Sequence, residues 1–95
     1  MKEFKGTPGE WNYSHARGEV VSKSEGLIAE LVVNGREDNN GSLIAAAPDL
    51  LDALQCLFDN YKQLADSGDA GNWRLEDEPA GKKALHAINK ALGKE

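Results

Sequence analysis

Ninety-five residues, with 11 Lys and Arg against 16 Asp and Glu, carry a formal charge of −5, and a chain of this length makes one domain that buries about two-thirds of its unfolded surface. A single Cys excludes an internal disulfide framework, and the acidic balance argues against nonspecific binding to nucleic acid or an anionic membrane. No apolar run approaches the about 20 residues of a membrane span, and Met1-Lys2-Glu3-Phe4-Lys5-Gly6 holds no hydrophobic stretch for export, so the expectation is a soluble cytoplasmic protein.

The first third is rich in β-formers and turn residues. Trp11 to Ser14 reads as a short strand, His15-Ala16-Arg17-Gly18 as a turn, and Glu19-Val20-Val21-Ser22 as a second strand. After a turn at Lys23-Ser24-Glu25-Gly26, the β-branched run Leu27-Ile28-Ala29-Glu30-Leu31-Val32-Val33 predicts the strongest strand, ending at Asn34-Gly35. Three strands at this spacing make a meander, whose open face needs a cover.

The period changes after Asn40. Asn39 or Asn40 is a candidate cap for Leu43-Ile44-Ala45-Ala46-Ala47. Pro48 either kinks that helix or ends it, and the presence of Asp49 and Asp52 just behind it favours a fresh start and two helices. Leu50, Leu54, Leu57, Tyr61 and Leu64 step by four and three, one stripe down a helix, with Leu51 and Phe58 widening it. That stripe is the expected cover of the sheet. Its width exceeds what a small sheet and one short helix can shield, which predicts a homodimer or larger. Residues 67–78 read as a loop. Pro79 then opens a last helix whose buried face is Ala84, Leu85, Ile88, Ala91 and Leu92, and Gly93 ends it. The expected architecture is therefore a single α+β domain over 1–95. An N-terminal three-stranded antiparallel β-meander (1–36) packs against a C-terminal α-helical hairpin (40–95).

Catalysis needs convergent groups, and few candidates exist. His15 and His86 are far apart in the chain, and neither is given a catalytic role. Cys56 beside Leu57 and Phe58 reads as a partly or fully buried thiol acting as a small hydrophobe. Ser22, Ser24 and Ser67 lack a nucleophile-elbow context. No Cys or His pair has zinc-ligand spacing, and Glu37-Asp38-Asn39-Asn40-Gly41 lacks the alternating ligands and closing Glu of a calcium loop, leaving a turn and helix cap. No enzyme, metal or cofactor is expected. The acidic run from Asp49 to Glu78 is interrupted by Lys62 and reads as a solvated surface usable as a rim for a basic partner. Trp11 most simply caps the sheet core. Trp73, before Arg74, could pack on the hairpin, cover a subunit contact or stack on a planar ligand.

The pattern Thr7-Pro8-Gly9-Glu10-Trp11, then Leu27-Ile28-Ala29-Glu30, then Asn40-Gly41-Ser42 running into Leu43-Ile44-Ala45-Ala46-Ala47-Pro48-Asp49-Leu50-Leu51-Asp52-Ala53-Leu54 resembles a group of small proteins encoded by tailed bacteriophages and prophages. The alanine-rich tail from Ala84 to Gly93 is similar too. The chain departs from the group at Gly41, where Ala is usual. The resemblance implies a setting and no reaction: small phage proteins of this kind commonly act on the host by binding.

Two readings follow. The first is a module that sequesters a small nucleotide-like defence signal from the host, with Trp11, Arg36, Asp38, Asn40, Trp73 and Arg74 as candidate ligand-binding residues, arginine for phosphate and indole for base. The second is an inhibitor or adaptor that blocks a host defence protein through the acidic hairpin or an open sheet edge.

Overall fold

The computed structural model describes residues 3–66 and 74–94. Its elements run β1 (Trp11–Ser14), β2 (Glu19–Ser22), β3 (Gly26–Glu30), α1 (Glu37–Asp66), a 3-10 turn (Leu75–Asp77) and α2 (Pro79–Ala91). This is the expected α+β succession, a three-stranded antiparallel sheet in the order β1-β2-β3 followed by two helices. Residues Phe4–Leu50 form one compact unit, and a second begins at Leu51, within α1.

In the first unit, β1 pairs with β2 with Trp11 opposite Ser22 and Tyr13 opposite Val20. Alternation puts Val20 and Ser22 inward, and Val20 is fully buried. Between β2 and β3 the register shifts after Val20, so Ala29 faces Val20 and Leu27 faces Val21. Ile28 is the extra residue of a bulge. Gly18 turns the first hairpin at φ +63° and Gly26 the second at +85°, backbone conformations that glycine adopts without steric cost.

The third strand is shorter than its β-branched run predicts. It ends at Glu30, and Leu31 donates one last bond to the Gly18 carbonyl at 2.8 Å. Val32 and Val33 lie outside the sheet, 77% and 84% exposed. β2 is only four residues long, so no ladder remains for them. β-propensity describes fit to a half-buried pleated surface, and that surface stops with the partner strand.

Two expectations about the first helix are corrected. It begins at Glu37, ahead of Asn39 and Asn40, because Asn34 Oδ1 accepts the Arg36 N–H at 2.9 Å and turns the chain, and the Arg36 carbonyl accepts the first helical bond from Asn40 at 2.9 Å. Glu37 and Asp38 occupy the first turn, where the helix dipole favours negative charge. The helix also continues through Pro48. An internal proline costs about 3 kcal/mol, and the strong helix formers on either side, Ala45 to Ala47 and Leu50 to Leu57, offset it.

The expected cover of the sheet is also revised. Gly41, in the first turns of α1, meets the Tyr13 ring: a Cβ there would overlap the ring carbons. From the predicted stripe, Leu50, Leu57, Tyr61 and Leu64 are exposed, as is Leu43. Contrary to the count of uninterrupted apolar runs, Glu37–Leu64 is long and apolar enough, by length and composition alone, to cross a membrane, with mean hydropathy 1.3 over 18 residues. Asp49 and Asp52 lie in that stretch, each costing about 2.5–3.5 kcal/mol near a bilayer centre.

The second unit has its own core: Phe58, Leu75 and Ile88 are buried, and Leu51, Leu54, Ala84, Leu85 and Leu92 pack around them. Full burial of each large apolar side chain contributes about 1.5–3 kcal/mol. Gly81 is buried against the Leu75 carbonyl so closely that a Cβ would overlap it, which seats the 3-10 turn on α2. Pro79 opens α2 as predicted. The Gly93 N–H bonds the Lys90 carbonyl at 3.1 Å and the Lys94 N–H the Asn89 carbonyl at 2.8 Å, with Gly93 at φ +75°: the Schellman termination expected at that glycine. Ala91, assigned to the buried face, is exposed.

Candidate functional site

Two places gather functional groups, one in each unit. In the first, the Tyr13 hydroxyl donates to Asp38 Oδ1 at 2.7 Å, and His15 Nδ1 lies 2.8 Å from the same oxygen. β1 and the following turn bring Tyr13 and His15 to the first turn of α1. The hydrogen bond to the Asp38 carboxylate, with the charge of Asp38 and of Glu37 behind it, pushes the Tyr13 hydroxyl up to about 12. The same bond, helped by His15, holds Asp38 below the usual carboxylate range. His15 is 81% exposed and Asp38 53%, so this is a surface triad without a cleft. A tyrosine held protonated and a carboxylate held ionised form a hydrogen-bonded strut, the opposite of an activated nucleophile.

In the second unit, α1 and α2 enclose an open groove of about 500 Å³. Phe58, Leu85, Ile88 and Leu92 contribute apolar wall, and Asp59 and Lys62 its charges. The Lys62 ammonium donates to Glu76 Oε2 at 2.6 Å, and Arg74 Nη2 approaches that oxygen at 3.8 Å. The Lys62 hydrogen bond is the main reason the Glu76 carboxyl is held below its ordinary value. The size falls within the range of small-ligand and side-chain pockets. With Lys62 held by Glu76, the charge left at the rim is the Asp59 carboxylate.

A family model described as Salmonella phage P22 protein Y8K6 matches residues 1–95. The chain belongs to that family. The phage setting that the central sequence run implied is thereby met. No curated protein and no solved structure matches the chain.

The residues singled out for ligand binding are placed as follows. Trp11 sets its ring edge-on to Phe4, centroids 6.3 Å apart at 62°, and its indole N–H donates to the Thr7 carbonyl at 3.1 Å. Arg36 and Asn40 are exposed at the start of α1, and Asp38 is the acceptor of the triad. Arg74, exposed in the second unit, faces Glu76 and Asp77 at 3.8 and 3.9 Å. Trp73 lies outside the described residues, as do Ser67 and the rest of 67–72 that the sequence predicted to be a loop.

Sequence reasoning left Tyr13 unremarked and gave His15 no role. Their partner is more than 20 residues away, and no local motif joins a tyrosine in a strand to an aspartate in a helix. Gly41 was the one available sign, since a residue without a side chain in a helix often marks a close approach. Cys56, expected to be partly or fully buried, is exposed: the helix turns Gln55 and Phe58 inward, which puts the two residues between them outside. His86 is on the surface of α2, as expected. Among the described residues, no three His, Cys, Asp or Glu side chains are grouped to hold a metal ion.

Proposed function

We propose that this phage protein acts within the infected host cell as a non-catalytic inhibitor or adaptor, binding a host protein through the groove between α1 and α2. The groove carries this reading: its apolar wall of Phe58, Leu85, Ile88 and Leu92 suits an apolar side chain of a partner, and Asp59 at the rim favours a basic neighbour in the same segment. The net charge of −5 adds long-range attraction for such a partner.

The alternative, sequestration of a nucleotide-like signal, asks for an arginine and an indole over one ligand. Arg74 faces two carboxylates and the Trp11 indole is engaged by Phe4 and Thr7, so the groove favours the protein partner.

The deciding experiment is capture from host lysate with the wild type and the Asp59→Lys variant, checked for unchanged helicity by circular dichroism. The expected result is a stoichiometric host protein that is retained by the wild type, weakened by added salt and lost with the variant. Equal capture by both proteins, or no protein together with a calorimetric response to cyclic dinucleotides or ADP-ribose derivatives, overturns it.

A further inference from the structure

The two walls of the groove in the second unit repeat with one period. On α1 the lining residues are Gln55, Phe58, Asp59 and Lys62, spaced i, i+3, i+4 and i+7. On α2 they are Leu85, Ile88, Asn89 and Leu92, in the same spacing. Each wall is thus one ridge of a helix seen over two turns, about 10.5 Å long.

Two ridges of this spacing accept a third. A guest helix with apolar side chains at i, i+3 or i+4, and i+7 matches the repeat of both walls along the whole groove, and its backbone groups are bonded within itself. An extended guest fits poorly. About three of its residues would span the same length, carrying six backbone N–H and C=O groups that need partners. Both walls are helices, whose own backbone is already paired, and the Asn89 amide with the Asp59 carboxylate cannot serve all six.

Charge sets how the guest lies. Asp59 stands on the α1 wall. From Pro79 to Ala91, α2 holds no acidic residue, and Lys82, Lys83 and Lys90 are exposed on it. Lys90 follows Asn89 by one residue and Lys82 precedes it by two turns, so both border the α2 wall on its solvent side.

We infer, resting on the host-protein reading of the groove, that the partner segment is an amphipathic α-helix of at least two turns. It carries apolar residues at i, i+3 or i+4, and i+7, basic side chains on the flank that meets Asp59 and acidic ones on the flank that meets α2.

The probe is a fluorescent, end-blocked alanine-based peptide of about 15 residues, with leucine at that spacing, lysine on one flank and glutamate on the other. Anisotropy reads its binding and circular dichroism of the mixture its folding. The wild-type protein is expected to bind it with a gain in peptide helicity. A peptide with proline in its middle should bind about a hundredfold more weakly, and one with glutamate on both flanks about tenfold more weakly, a gap that narrows with added salt. Lys82→Glu/Lys90→Glu, at exposed positions, should weaken binding of the first peptide about threefold with unchanged protein helicity. No binding of that peptide at about 1 mM protein, binding without a gain in helicity, or equal binding of the proline or glutamate peptide overturns the inference, as does equal binding by the double variant. If capture from host lysate still yields a protein that Asp59→Lys loses, those results leave the host-protein reading standing and remove the helical guest.

Discussion

Tyr13 draws its character from a carboxylate 25 residues further along the chain. Its hydroxyl stays protonated to about pH 12 because ionisation would place a phenolate 2.7 Å from Asp38 Oδ1. An absorbance titration near 295 nm on a Tyr61→Phe background, which leaves Tyr13 as the sole tyrosine, is expected to show a midpoint about two units above that of free tyrosine. Asp38→Asn is expected to return it to about 10. A midpoint near 10 in the parent would mean that the bond does not form in solution. Gly41 belongs to the same account: it lets the Tyr13 ring approach the helix backbone, where a Cβ would overlap the ring carbons.

At the scale of elements, close approach decides more than propensity. The Leu75–Asp77 turn rests on α2 only because Gly81 has no side chain to strike the Leu75 carbonyl. By helix propensity alone Gly81→Ala should stabilise α2 by about 0.8–1 kcal/mol. Displacing the turn from a packed core costs typically 1–3 kcal/mol, so the expected outcome is a lower urea midpoint, not a higher one. A raised midpoint would show that the turn is not seated there. Pro48 illustrates the same ranking from the other side, since the penalty of one proline is outweighed by a thirty-residue helix with good formers on both flanks.

For the whole molecule, the shifted groups define a window of pH. Asp38 and Glu76 have folded values below their unfolded ones, so their contribution is present above about pH 5 and is lost as pH falls through the folded values. Tyr13 is shifted upward to about 12, so its contribution is complete below about pH 10 and disappears between 10 and 12. Melting temperature against pH should therefore be flattest from about 5 to about 10, with Glu76→Gln softening the acid limb and Tyr13→Phe the alkaline one. Unchanged limbs in both variants would place the origin of the pH dependence elsewhere.

Much of the architecture was legible without coordinates. Two strands, the turn at His15 to Gly18, Pro79 at the start of the last helix and Gly93 at its end depend on local periodicity and on backbone preferences of single residues. Those preferences act within a few positions and are written where they act. The same holds for the spacing of leucines along α1. What tertiary structure decided is every feature that needs a distant partner: where β3 stops, how Tyr13, His15 and Asp38 meet, which side of α1 is buried, and why Gly41 and Gly81 stand inside helices. Periodicity shows that a helix has an apolar side, but burial depends on what reaches that side. In the second unit the buried residues of α1 are Gln55 and Phe58, while Leu57, Tyr61 and Leu64 are left exposed.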